Sequence, residues 1–328
     1  MSNIIFICPY FGEFPSSQFQ LWLKSCSYNK DIKWLVVTDD FTTYDFPNNV
    51  EFKYMSFEQL KEIVQSKFEF EISLDTPYKL CDYKPIYGFV FSEWIKDFDF
   101  WGHCDISDCI FGNLQAFFTD DLLNGYDKIL FLGHMTIYKN KKDVNERFLL
   151  KTSSGVKLEE IIGVRENRAF DELNEYSINT IYTEYGFPMM RMDNLYADIS
   201  PMRYAFQLSC YDDDYVQYYE KKIPRMFEWN RGKMYAYSVV DNKLEREEIG
   251  YVHFQKRRMS VLDNLDEKKF YIVPDGFTNI KEPISVNTVK KFSKDKVFYK
   301  PYFKLKFDAL KYRIAQMTSK NRNKDVLS

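Results

Sequence analysis

Asp99-Phe100-Trp101-Gly102-His103-Cys104-Asp105-Ile106-Ser107-Asp108 decides the reading of this chain. A hydrophobic run of strand length gives way at once to two carboxylates, Asp105 and Asp108. Short apolar runs bounded by turn residues are characteristic of strands buried on both faces. In open α/β sheets, ligands bind beyond the carboxyl ends of such strands. Two oxygen donors there suit a hard divalent cation, Mg²⁺ or Mn²⁺, which can stay bound to substrate phosphates. An Asp-x-x-Asp at an arbitrary position is usually a surface turn. The strand end is what gives this one weight.

The flanking sequence supplies the rest of such a sheet. Asn3 to Cys8 reads as a buried strand ended by Pro9-Tyr10-Phe11-Gly12, where Gly12 permits close backbone approach to a ligand. Ser16 or Ser17 is placed to cap a helix over residues 18–28. Lys33 to Thr38 is a second strand, ending in Asp39-Asp40, acids that can bond a base or ribose. Ser56 and Gln59 have capping-box spacing for a helix to about Phe68. Pro85 to Ile95 and Asn113 to Asn124 read as helices, and Lys128 to Leu132 as a strand ending at Gly133-His134. This order predicts a doubly wound α/β sheet over about residues 1–140. Residues 145–201 are mixed. From Phe227 to Phe254 the pattern turns to β, with a turn at Gly232 and a strand at Tyr251-Val252-His253-Phe254.

Composition narrows the function classes. The chain has 328 residues, enough to bury a full core without staples. Its 45% hydrophobic content excludes disorder. No apolar run approaches the ~20 residues of a membrane span, and the N-terminal residues lack a signal-peptide pattern. The six cysteines form no CxxC pair and the three histidines do not cluster with them, so reduced thiols and a cytoplasmic setting are expected. Aromatics reach 18%. Base bias accounts for much of this, and Tyr10, Phe11 and Trp101 fall near the proposed site. The net charge of −3 hides an asymmetry: residues 286–328 carry twelve Lys and Arg against three Asp, or +9, leaving −12 on residues 1–285.

An ordered set of stretches resembles a bacterial family of GT-A-type nucleotide-sugar glycosyltransferases of polysaccharide (capsule or O-antigen) biosynthesis. The set is Cys8 to Gly12, Thr38-Asp39-Asp40, Tyr78 to Pro85, Phe100 to Asp105, Gly133 to Asn140, Phe170-Asp171-Glu172 and Tyr251 to Arg257. The resemblance implies a Rossmann-type mixed sheet flanked by helices over residues 1–258. The donor half would cover about 1–140 and the acceptor half about 141–258, with a basic aromatic extension over 259–328.

The resemblance also assigns roles. Asp105, Asp108 and His253 would hold Mn²⁺ or Mg²⁺; where the family has Asp-x-Asp, the third position here is Ser107, which either completes the site in place of Asp108 or reaches a ribose or a metal-bound water. Pro9, Tyr10, Phe11, Gly12, Asp39, Asp40, Asp82, Cys104, Asp105 and His134 would meet the nucleotide sugar. Lys84, at a helix start, would meet the diphosphate, and Lys256 or Arg257 would neutralise it on departure. Asp171, with Glu172 next, would be the base of an inverting transfer; Asp193, Asp198 and Glu184 are the alternatives. A retaining transfer needs no such base.

The expected reaction moves a hexose, galactopyranose or galactofuranose, from a UDP-sugar to a surface glycan or lipid-linked oligosaccharide. The tail, with Phe298, Tyr299, Tyr302 and Phe303 among its lysines, suits peripheral contact with an anionic membrane face. No nucleic-acid partner is expected. Two other readings compete. A sugar-nucleotide nucleotidyltransferase would begin with a basic glycine-rich loop, which Pro9-Tyr10-Phe11-Gly12 is not. A non-catalytic carbohydrate- or membrane-binding protein would use the aromatics and tail alone.

Overall fold

The computed structural model describes residues 2–255, 257–296, 299–300, 302–304, 306–307 and 311. The first half contains β1 (Ile4–Pro9), α1 (Ser16–Ser27), β2 (Ile32–Thr38), β3 (Val50–Tyr54) and α2 (Phe57–Gln65). A 3₁₀ segment, Pro77–Ile86, and two single-turn helices lead into β4 (Phe100–Cys104) and β5 (Cys109–Phe111). Next come β6 (Lys128–Leu132), β7 (Met135–Lys139) and β8 (Met189–Met190). The remaining strands are β9 (Tyr196–Asp198), β10 (Ser209–Tyr211), β11 (Gln217–Tyr219), β12 (Arg225–Asn230), β13 (Lys233–Val240), β14 (Lys243–Ile249), β15 (Tyr251–His253), β16 (Lys269–Val273) and β17 (Gly276–Thr278).

Seven strands form the central sheet in the order β3-β2-β1-β4-β7-β6-β8. The sheet is mixed: β7 runs antiparallel to both β4 and β6, while the other pairs are parallel. Strand alternation divides the core in two. Ile4, Phe6 and Cys8 of β1 face one cluster, while Ile5 and Ile7 face the other. Phe19, Trp22 and Cys26 of α1 cover the first face, and Leu60 and Val64 of α2 the second. Each face is thus covered by helix, which explains why these strands read as continuous apolar runs.

The structure bears out the α/β class, with a mixed central sheet flanked by helices. It also revises several local expectations. Helix α1 begins directly behind Pro15, which has no side-chain group to cap it. The box at Ser56 forms as expected: Ser56 Oγ accepts from the Gln59 amide and Gln59 Oε1 from the Ser56 amide. The helix expected over 85–95 is broken into short turns, as is the one over 113–124. Strand β7 was not foreseen, and it turns the end of β6 into a hairpin.

Residues 209–219 form a two-stranded hairpin, β10-β11, and β5-β15-β9 form a small third sheet. Beyond these, β14-β13-β12-β16-β17 form a five-stranded antiparallel sheet. The chain after residue 258 therefore contributes β16 and β17 to the sheet begun by β12. Most of the aromatic excess is core. Phe6 stacks on Trp34, Trp34 on Phe111, and Trp101 on Tyr138. Trp101 is fully buried, so it meets no ligand, contrary to its expected place near the donor. Among the described residues, no helix is long and apolar enough to cross a membrane. Most of the basic tail, including Phe298, lies outside the described residues.

Candidate active site

The site is built where β4 ends against the β6-β7 turn. Leu130 has φ 68, and the β6-β7 register shifts between Ile129 and Leu132. A bulge of this kind re-aims the residues that follow it. Here those residues are Leu132, Gly133 and His134, which face the cleft. The Asp105 amide donates to the His134 carbonyl at 3.0 Å, which ties the two loops together. Ser107, one residue before Asp108, is buried with φ 66. Such strain is commonly retained at functional sites.

The cleft has a volume of about 440 Å³. At its centre Lys84 Nζ lies 2.7 Å from Asp105 Oδ1 and 3.6 Å from Asp171 Oδ2. The same ammonium donates to the Gly133 carbonyl at 2.8 Å. Asp105 Oδ2 lies 3.6 Å from His253 Nε2, and His253 Nδ1 lies 2.7 Å from Asp198 Oδ1. Gln255 Nε2 donates to the other oxygen of Asp198 at 2.9 Å. The His134 ring stacks on His253 with centroids 4.3 Å apart. Tyr251 Oη lies 3.1 Å from His134 Nδ1, while His134 Nε2 is buried without a hydrogen-bond partner.

Burial and opposing charges set the protonation of these groups. Burial alone would raise Asp105, but Lys84 and then His253 outweigh it and hold the carboxyl well below the usual carboxylate range. Burial and the Asp105 charge push Asp108 up to about 7. Burial alone would lower His253, yet bonds to Asp105 and Asp198 carry it up to about 10. His134 is pushed down to about 3 by burial and by His253. Burial raises both Asp171 and Glu172, and Asp171 adds to the rise at Glu172.

The expected residues divide into those that meet in the cleft and those that do not. Lys84, Asp105, Asp108, His134, Asp171, Glu172 and His253 line it together. Pro9, Tyr10, Phe11 and Cys104 line an adjoining lobe of about 330 Å³ that shares Lys84, Asp105 and Asp108 with the first. Lys84 lies within a 3₁₀ segment, not at the expected helix start. Gly12 and Asp39 line neither lobe; the Gly12 amide donates to Asp39 Oδ1 at 2.8 Å. Asp40 is engaged by the amides of Phe14 and Thr42 and by the Tyr44 hydroxyl. Those bonds leave Asp40 holding its own loop.

Asp82 departs most from expectation. It is fully buried, ion-paired to Lys79 at 2.7 Å, and accepts from the amides of Arg168 and Phe170. Its carboxylate anchors the loop before Asp171 and does not meet the cleft. Arg257 is likewise spent on the carbonyls of Arg203, Tyr204 and Pro274. Lys256 lies outside the described residues. Glu184 binds Ser153 and Asp193 pairs with Arg191, so neither alternative base stands in the cleft.

Asp198 does line the cleft, but as the partner of His253. Tyr196–Asp198 is a short strand ending in an acid, a placement that the sequence, mixed over residues 145–201, did not announce. The strand lies parallel to β15, with His253 opposite Asp198. The cleft residues Tyr78, Tyr211, Gln217 and Gln255 were not foreseen.

The chain matches, over residues 6–281, the model of a family of unknown function, DUF6625. This chain belongs to DUF6625. No curated protein sequence matches it. Three solved structures are similar to parts of it. Mouse xyloside xylosyltransferase 1, in its apo form, is 8% identical with a TM-score of 0.36, over 61% of this chain and 88% of that one. The galactosyltransferase LgtC, in complex with donor and acceptor sugar analogs, is 11% identical with a TM-score of 0.35, over 60% and 75%. The glycosyltransferase GlyE of Streptococcus pneumoniae TIGR4 is 12% identical with a TM-score of 0.31, over 59% and 46%. The functional reading of this DUF6625 member rests on the residues of its own cleft.

Proposed function

We propose that this DUF6625 protein is a metal-dependent GT-A-type glycosyltransferase. In this reading it transfers a hexose from a nucleoside-diphosphate sugar, UDP-linked, to a glycan or lipid-linked saccharide. The observation that carries the reading is the convergence of Asp105, Asp108, His253, Lys84 and Asp171 on one cleft beyond the end of a central strand. Galactose, as pyranose or furanose, is the proposed sugar, and a polysaccharide-assembly setting at the inner membrane face is the proposed context.

A divalent cation is supported by the acidic lining and by His134, Asp198 and His253, whose ligand atoms lie within 4.8 Å of one another. Among the described residues, five carboxylates line the main cleft, from Asp105, Asp108, Asp171, Glu172 and Asp198, against one lysine, Lys84. Asp198 fixes the His253 ring and leaves Nε2 directed toward Asp105. A carboxylate behind a histidine is the usual support of a metal ligand. Asp105 and His253, 3.6 Å apart, would hold Mn²⁺ or Mg²⁺ with Asp108 drawn in, since among the described residues the acids and histidines already gathered within 4.8 Å are His134, Asp198 and His253. When bound, the ion supplies Lewis acidity that stabilises the departing diphosphate.

The chain's own residues do the rest. Lys84 holds Asp105 in place and brings an ammonium to the boundary of the two lobes, where the donor phosphates would lie. The lobe lined by Tyr10 and Phe11 offers apolar and aromatic surface to the nucleoside. For transfer with inversion, Asp171 accepts the proton of the acceptor hydroxyl. That oxygen then bonds to the anomeric carbon, and the bond from this carbon to the diphosphate oxygen breaks. Burial, which raises the Asp171 carboxyl, favours proton uptake near neutrality.

The test is thermal stabilisation by UDP with and without Mn²⁺, since a ligand that binds only the folded state raises its melting temperature. The expected result is a shift with UDP and Mn²⁺ together that exceeds the sum of the separate shifts. No metal-dependent shift with any nucleoside diphosphate would contradict the reading.

A further inference from the structure

Beside the proposed catalytic groups stands an element that the donor chemistry leaves unused, the β10-β11 hairpin. Its register pairs Ser209 with Tyr219 and Tyr211 with Gln217, while Cys210 pairs with Tyr218. Side chains alternate across a strand pair, so Ser209, Tyr211, Gln217 and Tyr219 share one face and Cys210 and Tyr218 the other. The first face meets the cleft, because Tyr211 and Gln217 line it beside Asp171, Glu172 and His134. Ser209 is tied to the same place by Gln255, whose amide donates to Ser209 Oγ at 3.1 Å and to Asp198 at 2.9 Å. Tyr219 continues that face outward and is 47% exposed.

The hairpin is held as a fixed wall. Arg191 donates to the carbonyls of Tyr211 and Asp212 at 3.1 and 2.6 Å. Its guanidinium lies 5.1 Å from the Phe131 ring centroid and 4.7 Å from that of Tyr215. Both Tyr211 and Tyr215 pack edge-on against Phe131, the β6 residue just before Leu132 and Gly133. The turn is closed by Asp212, which accepts from the amides of Asp214 and Val216. An aromatic wall anchored in this way loses little side-chain freedom on binding.

We infer that the Tyr211-Gln217-Tyr219 face of this hairpin is the acceptor-binding platform, and that the acceptor it takes is a saccharide. The inference rests on the glycosyltransferase reading and deepens it. A saccharide has apolar C–H faces that lie flat on aromatic rings and hydroxyls that pair with a planar amide. Two tyrosines flanking a glutamine offer that combination. The face runs from the exposed Tyr219 to Tyr211, in the cleft that Asp171 and Glu172 also line, so a sugar lying on it extends its terminal hydroxyl toward the proposed acids. An extended acceptor continues outward over Tyr219.

The test is saturation-transfer NMR with lactose, maltose, N-acetylglucosamine and methyl β-galactoside, in the presence of UDP and Mn²⁺. It compares the wild-type chain with Gln217→Ala, Tyr219→Ala and Tyr218→Ala; the last lies on the opposite face and serves as control. All three side chains are exposed, and unchanged melting temperatures verify folding. At least one saccharide is expected to bind wild type and Tyr218→Ala alike, and roughly tenfold more weakly to Gln217→Ala and Tyr219→Ala. Equal binding by all variants, equal loss in Tyr218→Ala, or no saccharide binding to wild type would overturn the platform. A missing UDP shift would count separately against the nucleotide-sugar reading, while the saccharide comparison would still decide the hairpin's role.

Discussion

At the scale of single residues, the proposed site depends on Asp198 holding the His253 ring, with His253 Nδ1 2.7 Å from Asp198 Oδ1. Asp105 and Asp108 were legible because they end a hydrophobic strand, and His253 because it ends another. Asp82 was misread, since sequence alone does not show that Lys79 and the loop at 168–170 would enclose it. Asp198 was visible only as one acid among several, because its value comes from lying opposite His253 on a neighbouring strand. Asp198→Asn should lower turnover by about 10- to 100-fold through loss of His253 orientation. The effect should appear as weakened Mn²⁺ dependence in a steady-state titration, with the fold intact by circular dichroism. Unchanged Mn²⁺ dependence would mean that Asp198 only fills space.

At the scale of elements, long periodic pieces were readable and the broken ones were not. Strands β1, β2, β4 and β6 announce themselves by apolar runs, and α2 by its capping box. The β6-β7 hairpin was hidden because its turn follows a bulge at Leu130 that local pattern does not encode. Lys128 supports that bulge by donating to the Leu130 carbonyl and to Asn179 Oδ1, each at 2.7 Å. Asn179 in turn donates to the carbonyls of Phe131 and Glu172, joining the bulge to the loop of the proposed base. Gly133 sits where these pieces close, and a Cβ there would collide with the carboxylates of Asp171 and Glu172. Gly133→Ala should cost about 1–3 kcal/mol of stability, the usual range for overpacking. Denaturant unfolding measures this, and turnover should fall more than stability because Asp171 must move. A variant with wild-type turnover would show that the Asp171 position is not critical.

At the scale of the whole molecule, the small net charge of −3 proved a poor guide, because it sums a basic tail and an acidic body. The body concentrates five carboxylates in one cleft, which is where a cation and a diphosphate would be held together. Stability should also carry the mark of Lys128, whose ammonium burial holds well below its ordinary value. The folded chain then binds fewer protons than the unfolded one between that lowered value and ~10.4. Stability therefore rises with pH across this window. Wild type should gain stability relative to Lys128→Met as pH climbs toward about 10, read by chemical unfolding at each pH. Parallel curves for the two proteins would contradict that. The most direct test of the central claim is hydrolysis of UDP-, GDP- and dTDP-sugars by wild type and Asp105→Asn in Mn²⁺. The account predicts that wild type hydrolyses a UDP-hexose and that Asp105→Asn is slower by on the order of 100-fold or more. Hydrolysis of none of these donors, or undiminished activity in Asp105→Asn, would contradict it.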